Sequence, residues 1–135
     1  MVQANRLWLK ALPELKKAAK EIALAAGGEN LTIRFAEDAE VQKLNHDFRG
    51  KNKPTNVLSF HGEGDYQGDI IFARGVVFQE ATEQKKLPLN HTLHLVAHGV
   101  LHLLGYDHMN TKDAAKMESR EITILKQFGI GNPYE

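Results

Sequence analysis

Leu89-Asn-His-Thr-Leu-His-Leu-Val-Ala-His98-Gly-Val-Leu-His102-Leu-Leu-Gly-Tyr-Asp-His108 is the stretch on which the fold turns. Leu93, Leu95, Val96, Val100, Leu101 and Leu103 fall on most sides of a helix read from Leu89 to Leu104. A helix that is apolar nearly all round is buried, so this one predicts the centre of the molecule. His98 and His102 stand four residues apart within it, one turn apart on one face. Gly105 can take the positive φ that ends a helix. A chain that turns back there brings His108 over the same face. A neutral imidazole binds zinc at about 2.0–2.1 Å, and three protein ligands plus one open position make a catalytic zinc site. The spacing therefore predicts one zinc ion per chain, held by His98, His102 and His108. His94 is eight residues before His102, about 12 Å of helix. That is too far to share the ion, and the expectation is that His94 supports a ligand or packs.

A lone histidine on an apolar helix face is usually a hydrogen-bonded core residue. Two at four-residue spacing weaken that reading, and a third beyond a glycine turn favours metal. His-x3-His-x5-His is also the ligand spacing of the metzincin proteases, which place a glutamate base directly after the first histidine. Gly99 occupies that position here. The ligand frame without the peptidase base points to a metal hydrolase with another substrate.

The composition bounds the rest. At 135 residues the chain reads as a single domain, 1–135, large enough to bury a core without staples. Its formal net charge is zero, so any hold on a polyanion has to come from a local patch. It has no cysteine, which excludes disulfides and thiolate metal sites and suits a reducing cytoplasm. No apolar run approaches the ~20 residues of a membrane span. The expectation is a soluble cytoplasmic protein with no membrane partner.

Outward from the histidine helix, the periodicities alternate. Leu7, Leu12, Leu15, Ala19, Ile22 and Ala26 recur at helical spacing from Asn5 to Ala26. Leu31, Ile33 and Phe35 alternate with polar residues as a half-buried strand, and Asp38 is placed to cap a helix carrying Val41, Leu44 and Phe48. Val57-Leu58-Ser59-Phe60 and a run from Asp69 to Ala73 read as an antiparallel pair across a glycine-rich link. Val76–Lys86 and about Asp113–Phe128 read as helices. The fold class is α+β: a small mixed four-stranded sheet packed with about five helices, with the metal site on the buried central helix.

Between helix and strand, Arg49, Lys51 and Lys53 crowd one loop. Alone, three cations in five residues are usually a solvated turn. Beside a metal site they suit phosphodiester cleavage, which needs a cation to stabilise the extra charge of the transition state. Arg49 is the candidate catalytic residue, and Lys51 and Lys53 are candidates for substrate binding.

Leu44-Asn45, Phe48-Arg49-Gly-Lys51, Pro54-Thr-Asn-Val-Leu-Ser-Phe60, Gly68-Asp-Ile70, His98-Gly-x-Leu-His102-Leu-Leu-Gly-Tyr-Asp-His108 and Met117-Glu118-x-x-Glu121 follow in order. Together they resemble the YbeY family of bacterial endoribonucleases, from about Leu31 onward. The resemblance implies a metal-dependent endoribonuclease selective for single-stranded RNA. It implies work on ribosomal RNA, in 16S rRNA 3′ end maturation and ribosome quality control. The small ribosomal subunit and assembly factors are the implied partners. It also implies a zinc-like ion on His98, His102 and His108, and it aligns the family's conserved arginine with Arg49. Two positions depart from the pattern: His61 stands where the family usually has proline, and Asn52 where the loop often carries an acid. No second carboxylate base is evident: Asp107, directly before a ligand, suits orienting an imidazole or touching the bound water, and equally suits stabilising the turn. Attack by a metal-activated water and attack by the RNA's own 2′-hydroxyl both remain open. A metalloprotease-like hydrolase and a non-catalytic ribosome-assembly factor with a structural metal are the alternatives.

Overall fold

The computed structural model describes residues 1–107 and 109–135. Along the chain run β1 (Val2–Ala4), α1 (Arg6–Ala11), α2 (Leu15–Ala25), β2 (Leu31–Ala36), α3 (Asp38–Arg49), β3 (Val57–His61), β4 (Gly68–Ala73), α4 (Arg74–Glu83), α5 (Pro88–Leu103) and α6 (Thr111–Gln127). The sheet order is β1-β2-β4-β3, parallel at β1/β2 and β2/β4 and antiparallel at β3/β4. This is the α+β class with a mixed four-stranded sheet. Six helices stand among the described residues rather than about five.

The extra helix comes from the N-terminal segment. The apolar repeat from Asn5 to Ala26 suggested one helix, but Pro13 divides it. Proline has no N–H to donate and disfavours helical backbone before it, so α1 ends at Ala11 and α2 begins at Leu15. Three residues ahead of α1 add the edge strand β1, too short to show a period. Asp38 also does other work than the sequence suggested. It does not cap α3; its Oδ1 accepts from the backbone N–H groups of Gly75 and Val76, at 2.8 and 3.2 Å. These are donors of the first turn of α4, so Asp38 ties α3 to α4.

Strand register sorts side chains to two faces. Leu31, Ile33, Phe35, Ile70 and Phe72 enter the main core with α1, α2, α5 and α6. Leu58, Phe60 and Ile71 turn to the other face, against Val41 and Leu44 of α3. Pairing of Val57, Ser59 and His61 with Phe72, Ile70 and Gly68 puts those three β3 residues on the α5 side. Trp8 anchors the main core: its ring meets Phe35 and Phe78 at 5.0 and 5.3 Å, and its Nε1–H donates to the Ala36 carbonyl at 2.6 Å.

Pro88 opens α5 at its first position, where its missing N–H costs nothing. The helix lies hard on the sheet at Gly99, where an added Cβ would come within 3.1 Å of the Ile70 side chain. A side chain at position 99 thus points at the sheet, and a glutamate there would have to displace Ile70. At the far end Gly105 has φ +101°, as the predicted turn required.

Trp8→Ala should cost about 3–5 kcal/mol by removing a large buried ring. Urea unfolding at unchanged slope checks this. A loss below about 1 kcal/mol would show that the aromatic cluster is not what secures β2 to α1.

Candidate active site

The basic loop is held by the helix it leaves. α3 closes on a left-handed Gly50, and the buried side chain of Asn45 donates from Nδ2 to the Lys53 carbonyl at 3.0 Å. Gln42 donates to Asn52 Oδ1 at 3.1 Å. The asparagine in place of the family's acid is therefore a hydrogen-bond partner of α3. Arg49, the last residue of α3, reaches over the sheet edge. Its Nη2 donates to the Ser59 carbonyl at 2.6 Å, and its guanidinium carbon lies 5.3 Å from the Phe60 ring centroid, within cation–π range. The side chain is fixed by one hydrogen bond and one flat contact. A guanidinium has five N–H donors, so this anchoring leaves it able to engage phosphate.

On α5 the histidines are supported by a residue the sequence reading quoted but assigned no role. Glu121, from α6, is completely buried. Its Oε2 lies 3.0 Å from His98 Nδ1, and its Oε1 lies 2.6 Å from both His94 Nε2 and the Tyr134 hydroxyl, which donates to it. Burial alone would raise this carboxyl, but hydrogen bonds from His94, His98 and Tyr134 outweigh it and bring the pKa down to about 2. The group stays ionised, so it can hold a proton on His98 Nδ1. Burial and the Glu121 carboxylate push the Tyr134 phenol up, keeping it a donor. His94 thus supports Glu121 and, through it, His98. The signal for Glu121 was available: with Met117, Ile124 and Leu125 it occupies the apolar stripe of α6, and an acid in such a stripe needs partners.

The donor set suits a metal. Glu121 holds Nδ1 of His98, and carboxylate–histidine pairs of this kind fix the tautomer and orientation of a ligand imidazole. His102 sits one turn on, with its Nδ1 buried. His108, the third expected ligand, lies outside the described residues. Among the described residues no three metal-donor side chains are already gathered at one point. Asp107 accepts from the Met109 N–H at 3.1 Å, the two-residue bond of a turn.

The loop and the helix meet. A cleft of about 480 Å³ is lined by Asn45, Arg49, Lys51, Lys53, Ser59 and His102, with intervening loop and strand residues. Residues some fifty positions apart in sequence thus face one space, at the exposed edge of the sheet. A larger apolar share lines a second hollow of about 470 Å³ on the opposite sheet face, which holds none of the predicted site residues.

Glu121→Gln should weaken divalent-ion binding roughly 10–100-fold while the chain stays folded. Zinc competition with a chromophoric chelator, beside circular dichroism, checks it. Unchanged affinity would reduce Glu121 to a core-filling polar group.

Residues 2–129 match the family model described as Endoribonuclease YbeY. A protein of that name from Alteromonas mediterranea is 47% identical, over 79% of this chain and 72% of its own length. Another, from Paramagnetospirillum magneticum, is 42% identical over 94% of this chain and 89% of its own. The solution structure of TM1509 from Thermotoga maritima superposes with a TM-score of 0.64 at 26% identity, covering 99% of this chain and 94% of that one. A match of this extent, over a sheet edge where a positioned arginine meets a histidine helix, makes the chain a member of the endoribonuclease YbeY family.

Proposed function

We propose that single-stranded RNA, ribosomal RNA in particular, is cut in the cleft between the Arg49–Lys53 loop and α5, with His98, His102 and His108 holding one zinc-like ion. That the chain is an endoribonuclease follows from its family. The observation that carries the choice of site is the shared cleft of Arg49, Lys51, Lys53 and His102. A divalent ion bound there would act as a Lewis acid on the scissile phosphate.

The chain's own groups have separate jobs. Arg49, braced on Ser59 and Phe60, meets the charge that develops on the phosphate, at no cost in reorganisation. Lys51 and Lys53 draw the backbone in as mobile point charges. Glu121 fixes the ring of His98 from behind. A peptidase reading fails at position 99, which lies against Ile70 and cannot carry a base into the cleft. On this reading the chain works in 3′ maturation of small-subunit ribosomal RNA and in ribosome quality control, beside the small subunit and its assembly factors, in the cytoplasm. Its family supports an endoribonuclease role in ribosomal RNA processing, and no described helix is long and apolar enough to cross a membrane.

The test compares Arg49→Ala with Lys53→Ala on a single-stranded RNA at saturating concentration. Arg49→Ala should lower the cleavage rate about 10²–10³-fold at normal metal content, by the precedent of removing one transition-state donor. Arg49→Lys should not fully rescue, because an ammonium lacks the planar fork. Lys53→Ala should weaken binding in a salt-dependent way. Equal, small losses in both variants would return Arg49 to the solvated loop.

A further inference from the structure

Strand β3 is an edge of the sheet, and both of its sides open onto a hollow. The one away from α5, of about 470 Å³, is lined by Thr32, Leu44, Phe48, Phe60, Asp69 and Ile71, among others. That volume falls in the roughly 300–1,000 Å³ range of small-molecule sites. Phe48 lines it while 70% exposed, so its ring is left largely unburied by the fold. Phe48 and Arg49 are consecutive residues of α3, and both rest on Phe60. The Phe48 ring meets it edge-on with centroids 5.8 Å apart, and the Arg49 guanidinium carbon lies 5.3 Å from its centroid. Arg49 lines the cleft on one side of β3, and Phe48 lines the hollow on the other. Phe60 thus joins the two spaces around the strand edge.

The charges decide what this hollow takes. Among the described residues Arg34 is the one cation lining it, and Glu40 pairs with it at 2.6 Å. Asp69 adds a carboxylate, whose Oδ1 accepts from the Tyr66 hydroxyl at 2.6 Å. A phosphate would meet a carboxylate and an already paired arginine there, whereas Arg49, Lys51 and Lys53 all line the cleft. The uncharged part of a nucleotide, its base, suits the hollow. Proteins that read single strands stack splayed-out bases on aromatic rings. Resting on the cleft reading given above, we infer that Phe48 is the stacking platform for one base of the bound strand, next to the phosphate that Arg49 engages. The backbone follows the cations, and the base turns over the strand edge onto the Phe48 ring. The stacked base then sets which phosphate Arg49 meets. A duplex would have to break a pair to place a base there, so the platform favours a single strand.

The test measures binding of a short, non-cleavable single-stranded RNA to the full chain by fluorescence anisotropy, with folding checked by circular dichroism. Phe48→Ala should weaken binding about 5–150-fold, the range for one lost base stack, at an unchanged salt slope. Phe48→Tyr, which keeps the ring, should bind as the native protein does. In a series of strands each lacking one base, the native protein should lose affinity most at one position. Phe48→Ala should be indifferent to the missing base at that position. Native affinity in Phe48→Ala, or the same base profile in both proteins, would overturn the platform. Native RNA affinity in Phe48→Ala with a smaller sedimenting species would overturn it too, and would give the hollow to a second copy of the chain. Failure of the cleft reading looks different: Lys53→Ala would then keep both the native affinity and the native salt slope.

Discussion

A carboxylate without solvent is the constraint on which the site depends. Burying a charge costs far more than folding leaves to spare unless the group is paired and hydrogen-bonded. Glu121 meets that demand with two imidazoles and a phenol, contributed by α5 and by the tail after α6. The requirement runs in both directions. α6 must sit at one height along α5 for the carboxylate to be satisfied, and His94 and His98 must turn their rings toward it. A single buried charge thus fixes the packing of two helices and the orientation of a candidate metal ligand. Removing one partner would leave the charge uncompensated, so the arrangement is held as a unit.

The second requirement is met at the β3 edge of the sheet. With zero net charge, the protein cannot draw in a polyanion by its overall field, so attraction must be local. α3 supplies it by ending in Arg49 and handing the chain to a loop fastened through Asn45 and Gln42. Arg49 in turn covers the exposed edge of β3 by taking the Ser59 carbonyl. The same contact protects a strand edge and positions a cation. The cleft is where these two devices face each other, and Gly99 lets them come close by allowing α5 to lie directly on Ile70.

Much of this was legible in the sequence, where periodicity and composition carry it. The buried helix α5, strands β2 to β4 and the antiparallel β3/β4 pair follow from apolar spacing and turn residues. The His98/His102 pair and the Arg49–Lys53 loop follow from residue type at short range. What escaped depends on long-range geometry. β1 is three residues long and shows no period. The break at Pro13 was hidden by an apolar repeat that continues in phase across it. Asp38 looked like a cap for α3, but tertiary contact brought α4 to it first. Glu121 carries no local sign of its two histidine partners, which lie 23 and 27 residues away on another helix. His61 read as a departure from pattern, and its nearness to His102 emerges only from strand pairing.

That one phosphate is handled jointly by the basic loop and the histidine helix can be tested directly. Paramagnetic relaxation of ³¹P would be measured in a non-cleavable single-stranded RNA bound to protein loaded with Mn²⁺ or Co²⁺. Strong enhancement centred on one phosphate, lost in His102→Ala and displaced or broadened along the strand in Arg49→Ala, is the predicted result. Weak enhancement spread evenly over all phosphates, unaffected by either substitution, would show that RNA binds away from the histidines and would contradict the shared cleft.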